Sequence, residues 1–165
     1  MTAISKRQRQ AISRVYAEQR QSDAVAVTQP LDDEQVRDLS LAFRLAFAAM
    51  IGGAADELQW STCVCSLDIA LILAENGIGK EHIPAINEAL EGAFRAKVRH
   101  SKIGVWGFDG AAIQAIKDAY IIHEAQIEMA TKEEMRDAIY EVRRRIDAGN
   151  VFNFCDCYTY YRRMD

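Results

Sequence analysis

Apolar residues recur along most of this chain at intervals of three and four, the spacing that gathers side chains on one side of an α-helix. Over 32–51, Val36, Leu39, Phe43, Phe47 and Met50 make one continuous face. Asp32, Asp33 and Glu34 crowd the start of that segment, where carboxylates favour the positive end of the helix dipole, and Gly52-Gly53 stops it. A second helix is predicted over 55–75. Leu58, Thr62, Cys65, Ile69 and Ile72 share one face, and Trp60, Val64, Leu67, Leu71 and Leu73 make the other sides apolar too. A helix apolar on so many sides belongs at the centre of a packed domain. Asn76-Gly77 ends it.

The third pattern, over 81–101, has Ile83, Ile86, Leu90, Phe94 and Val98 on one face, with Pro84 in the first turn, where a missing N–H costs nothing. Asp109 can cap a helix over 110–130, which carries Ile113, Ile116, Tyr120, His123 and Ile127, with Ile121 beside them. Thr131 followed by Glu134 is a capping box, and it opens a helix over 132–147 with Met135, Ile139, Val142 and Ile146 inward and Gly149 beyond the end.

The two ends of the chain differ from this middle. Residues 5–21 predict a polar helix rich in Arg and Gln, with a thin apolar stripe of Ile12, Val15 and Tyr16, and residues 22–30 read as a linker. The tail, 150–165, sets Val151, Phe152, Phe154, Tyr158, Tyr160 and Tyr161 among two cysteines, a β-type composition in a helical chain. The expectation is an all-α antiparallel bundle of five or six helices with a short aromatic C-terminal tail. A basic N-terminal helix and linker occupy 1–30, and the bundle domain occupies 31–165.

Composition supports helices: glycine and proline are scarce, and half of the 165 residues are hydrophobic, enough for a real core. No window of eighteen uninterrupted apolar residues is present, so no membrane-spanning helix is expected. The first residues lack an apolar signal core, which points to a reducing cytoplasm and to thiols rather than disulfides. The net charge of −4 is unevenly spread. Residues 1–30 hold five bases against two acids, residues 31–93 three against eleven, and residues 94–165 twelve against eleven.

Few residues carry recognisable chemistry. Cys63/Cys65 and Cys155/Cys157 supply four thiols, but zinc sites use wider spacing, and residues two apart on a helix point in different directions. No metal or cofactor is expected. His123-Glu124 lacks the second histidine of a helical zinc-protease motif, because Ile occupies position 127. Asp68 lies among Leu67, Ile69, Ala70 and Leu71, where a buried carboxylate would have a raised pKa. Asp68 and His123 are the residues an enzyme here would use. Gly77-Ile78-Gly79-Lys80 lacks the remainder of a phosphate loop and reads as a turn between helices. Arg143-Arg144-Arg145 suits a helix C-terminus.

These residues favour a non-enzymatic protein–protein interaction or regulatory protein. Acidic helices in the first half offer a charged face to a basic protein partner. Trp106, Phe108, Phe152, Phe154, Tyr158, Tyr160 and Tyr161 are the candidate aromatic anchors. Self-association as a homodimer is a further expectation. The alternative is a nucleic-acid-associated regulator using Lys6, Arg7, Arg9, Arg14 and Arg20. In overall style the chain is similar to small helical accessory proteins of phages and plasmids, some of which bind and inhibit a host protein. That likeness implies a protein partner.

Overall fold

Local capping fixes where the helices begin. In the computed structural model, which describes residues 28–149, the elements are α1 (Asp33–Gly52), α2 (Glu57–Glu75), a 3-10 turn (Lys80–His82), α3 (Ile83–Ile103), α4 (Gly110–Met129) and α5 (Lys132–Asp147). Thr131 and Glu134 form the expected capping box, and Asp109 accepts a hydrogen bond from the Ala112 N–H. Two further boxes, Asp32 with Gln35 and Asp56 with Gln59, set the starts of α1 and α2. Each satisfies amide donors that would otherwise be left unpaired in the first turn. Gly53 ends α1 at φ 73°, a left-handed conformation that a side chain disfavours. The described chain is all-α, and no strand occurs among the described residues.

α2 is the central helix and packs against α1, α3, α4 and α5. From Ala70 to Ala74 every residue is buried, so the helix turns apolar side chains in all directions at that level. By length and composition its 19 residues would suffice to cross a bilayer, although Gln59, Ser61, Thr62, Ser66 and Asp68 interrupt its apolar run. Enclosure by four helices demands the same composition. Complete burial of Leu67, Leu73, Ile86 and Ile116 contributes about 2 kcal/mol each.

Two clusters make the core of the described residues. The larger joins α1 to α4 through Phe43, Met50, Trp60, Leu67, Ile86, Phe108 and Ile116. The smaller lies under α5 and joins Ile72, Leu73, Ile127, Met135 and Val142, with Leu31 and Val36 against it. The pair α3–α4 is close because small residues meet. A Cβ added to Gly92 would stand 2.7 Å from the Ala112 Cβ, so only glycine permits this approach.

The inward faces differ in part from those the spacing predicts. Leu58 is 68% exposed, Ile121 66%, and Ile139 and Ile146 are 44% and 41% exposed. Alanines take their places: Ala46, Ala89, Ala93, Ala119 and Ala138 are buried. Close helix contact favours small side chains at the point of crossing and displaces long ones to the flanks.

Candidate functional site

The aromatic loop between α3 and α4 is built into the domain. Asp109 binds Arg95 at 3.0 Å and caps α4, and this ion pair holds the Asp109 carboxyl below its ordinary value. Trp106 is half-buried and stacks on His100 at 3.9 Å and on Trp60 at 5.3 Å. Trp60 in turn donates its indole N–H to the Ala93 carbonyl, and the Lys97 ammonium lies over its ring. Phe108 is 7% exposed and meets Phe47 in the core. As an anchor for a partner Phe108 therefore needs correction: it is enclosed. The other aromatic anchors expected from the sequence, Phe152, Phe154, Tyr158, Tyr160 and Tyr161, lie outside the described residues, as do Lys6, Arg7, Arg9, Arg14 and Arg20.

The buried titratable groups occupy different surroundings. Asp68 is buried on α2, and among the described residues no hydrogen bond holds its carboxylate. Burial pushes it up to about 7, and the Arg145 charge opposes that rise. Arg145 itself bridges Glu75 at 2.6 Å and Glu141 at 2.9 Å, so its guanidinium is occupied by stronger partners. His123, on α4, is buried, and loss of solvent drives it down to about 4, so the ring is neutral at pH 7. Its Nδ1 and the Gln126 Oε1 both lack hydrogen-bond partners among the described residues. The Gln126 amide nitrogen donates to the carbonyls of Ala70 and Ile78 and thereby ties the turn after α2 to α4. Sequence reasoning had no signal for Gln126, because a lone glutamine in a helix usually faces water.

Cys63 is fully buried, its thiol pushed up to about 12 by loss of solvent, and Cys65 is half-buried. Neither is a ready nucleophile at neutral pH. Among the described residues no group of three or more His, Cys, Asp or Glu side chains is placed to hold a metal ion. Cys155 and Cys157 lie outside the described residues.

Among the described residues, one open apolar surface lies at the start of α1 and α5. Here the chain comes in across the domain: the Lys132 N–H donates to the Gln29 carbonyl at 2.9 Å, Pro30 bridges Thr131, and Lys132 pairs with Asp32. These contacts fix Leu31 between the two helices. On one side of Leu31 and Gln35 is a cavity of about 330 Å³ walled by Met135, Arg136, Ile139 and Tyr140. On the other, a second of about 390 Å³ runs along Asp38, Leu39 and Ala42. Together they form a shallow apolar groove, open to solvent. Residues 32–38 and 132–137, which begin the two helices, carry seven carboxylates and three cations. Arg136 is paired with Glu133 and Asp137, and Lys132 with Asp32, so the rim keeps a net negative charge.

Sequence periodicity placed Leu39, Met135 and Ile139 correctly on helix faces but turned all three inward. Only Met135 is buried. The groove joins residues about a hundred positions apart, and no local pattern encodes that meeting.

No protein-family model matches the chain, and no curated protein or solved structure is significantly similar to it.

Proposed function

We propose that this chain is a non-enzymatic protein-interaction module that regulates its partner by binding it. The observation that carries the reading is the apolar groove at the start of α1 and α5, lined by Leu31, Leu39, Met135, Ile139 and Tyr140 and rimmed by carboxylates. An amphipathic helix with an apolar stripe and basic flanks complements such a groove in both shape and charge. Leu31, Leu39 and Ile139 supply area for desolvation, and Tyr140, 66% exposed, offers a broad ring with a polar tip. Asp33, Glu34 and Asp38 steer a basic partner towards the groove and fix its register.

The same reading takes the packing as an antiparallel bundle and the aromatic tail as a further source of anchors. A phage- or plasmid-encoded accessory role, in which a host protein is bound and inhibited, fits a small domain of this kind. The test is affinity capture from the native cell with three forms of the chain: unaltered, Leu39→Asp/Ile139→Asp, and Ile121→Asp. A discrete protein retained by the first and third and lost with the second supports the reading. Equal retention by all three, or none by any, contradicts it.

A further inference from the structure

The two ends of α1 carry surfaces of opposite charge. The groove lies where α1 begins, and its rim is negative. The loop between α3 and α4 lies where α1 ends: a Cβ on Gly107 would stand 3.5 Å from the Met50 carbonyl, and Phe108 meets Phe47. α1 has 20 residues, so roughly 30 Å separate the two places. Residues 94–108, the end of α3 and this loop, carry four cations and no carboxylate. Arg95 is taken by Asp109, but Lys97, Arg99 and Lys102 form no ion pair among the described residues. Beside them Ile103 and Val105 are 65% and 51% exposed, and Ile51 is exposed at the end of α1. Asp56 and Glu57 begin α2 at the same end, so the positive charge is concentrated on the α3 side.

Charge and apolar area together select the partner of this surface. It fits an apolar depression edged by carboxylates, and the groove of another copy is such a depression. One copy cannot serve itself, because its own groove is at the far end of α1. Unlike surfaces meet in this contact, so each copy offers one of each. Ile103 and Val105 against Leu39 and Ile139 bury only a handful of side chains, far fewer than a permanent interface uses. The contact is therefore weak, with a Kd of about 0.1 mM, and it yields to an external partner that fills the groove more fully. Its ionic part lies at the surface, so salt weakens it.

We infer that the end of α3 in one copy docks in the groove of a second copy, with Ile103 and Val105 against Leu39 and Ile139, and Lys97, Arg99 and Lys102 towards Asp33, Glu34 and Asp38. The second copy is thus a competitor that an external basic helix must displace. This rests on the groove being the docking surface proposed above.

The test measures the mass of the full chain by light scattering, with two variants at exposed positions. Lys102→Glu/Ile103→Asp spoils the α3 end, and Ile139→Asp/Tyr140→Asp spoils the groove; circular dichroism checks that both are folded, and Tyr140→Asp alone replaces the second if it is not. The mass of the unaltered chain is expected at least to double between roughly 20 µM and 0.5 mM at low salt, and to rise less at high salt. Each variant alone is expected to stay monomeric. Mixed in equal amounts, the two should approach the dimer mass, because one still has the groove and the other still has the α3 end. An unaltered chain that stays monomeric at 0.5 mM overturns the inference. So does association that survives in either variant, or a mixture that stays monomeric, which would mean that like surfaces pair. Affinity capture with the same variants separates the two readings. A host protein retained by the Lys102→Glu/Ile103→Asp form of a chain that does not self-associate leaves the groove reading standing and defeats the inference. Self-association that needs both surfaces, with no host protein captured, leaves the inference standing and defeats the external partner.

Discussion

Asp68 and His123 titrate in opposite senses, and the consequence is a stability profile whose flatness conceals two slopes. Asp68 is raised from an ordinary 3.8 to about 7, so the folded protein holds its proton more tightly than the unfolded chain does. Its contribution is present at low pH and is lost as pH rises through 7. Between pH 5 and 8 the loss is on the order of 2–3 kcal/mol by proton linkage. His123 is lowered from 6.5 to about 4, so the unfolded chain binds the proton more readily. Its contribution is present above 6.5 and is lost as pH falls towards 4, a gain of about 2 kcal/mol from pH 5 to 8. The two nearly cancel. Urea denaturation of the unaltered protein is expected to give stabilities at pH 5 and pH 8 that agree to within about 1 kcal/mol. Asp68→Asn should become more stable by about 2 kcal/mol on going from pH 5 to 8, and His123→Gln less stable by about 2–3 kcal/mol over the same interval. The window stays above the range in which Glu141, held at about 2 by Arg144 and Arg145, begins to protonate. If Asp68→Asn leaves the profile flat, Asp68 is not desolvated and the reasoning about the centre of α2 is wrong.

Two further outcomes follow from the packing, and a third from the reading of the partner as a protein. Gly92→Ala should destabilise by about 1–2 kcal/mol in chemical denaturation, because overpacking against Ala112 outweighs the gain in helix propensity. Asp109→Ala removes both the α4 cap and the Arg95 partner, and should lower stability by about 1–2 kcal/mol with added mobility of the Trp106 loop, read as a shift in tryptophan emission. Titration of the full chain with duplex DNA across a salt series spanning about 50–200 mM should show no steeply salt-dependent binding; a log–log slope near −4 or steeper would return Lys6, Arg7, Arg9, Arg14 and Arg20 to a nucleic-acid role.

Helix positions were legible because each is written locally. Asp109, Thr131 and Pro84 mark starts, Gly53 and Asn76 mark ends, and these signals act within a single turn. The central place of α2 was legible too, since no other segment is apolar on every side. Rotation of each helix was less so. Ile139 and Ile146 share a face with Met135 and Val142 in sequence, yet the smaller Ala138 is fully buried while both isoleucines stand at the edge. That choice depends on how near α2 approaches, a property of the neighbour. The groove was illegible for the same reason: Leu31 and Ile139 are joined by the backbone bridge at Pro30 and Thr131, which has no sequence signature. Trp106 and Phe108 stood out as aromatics in a glycine-rich loop, but nothing in the loop itself tells a side chain folded under from one displayed.

Photocrosslinking in the native cell addresses the groove most directly, with a photoreactive residue at position 139 and, separately, at position 121 on the outer face of α4. A groove that docks a protein helix yields one discrete protein adduct from position 139, diminished by added salt, and none from position 121. Adducts of equal yield from both positions, or an adduct from 121 alone, would contradict the assignment.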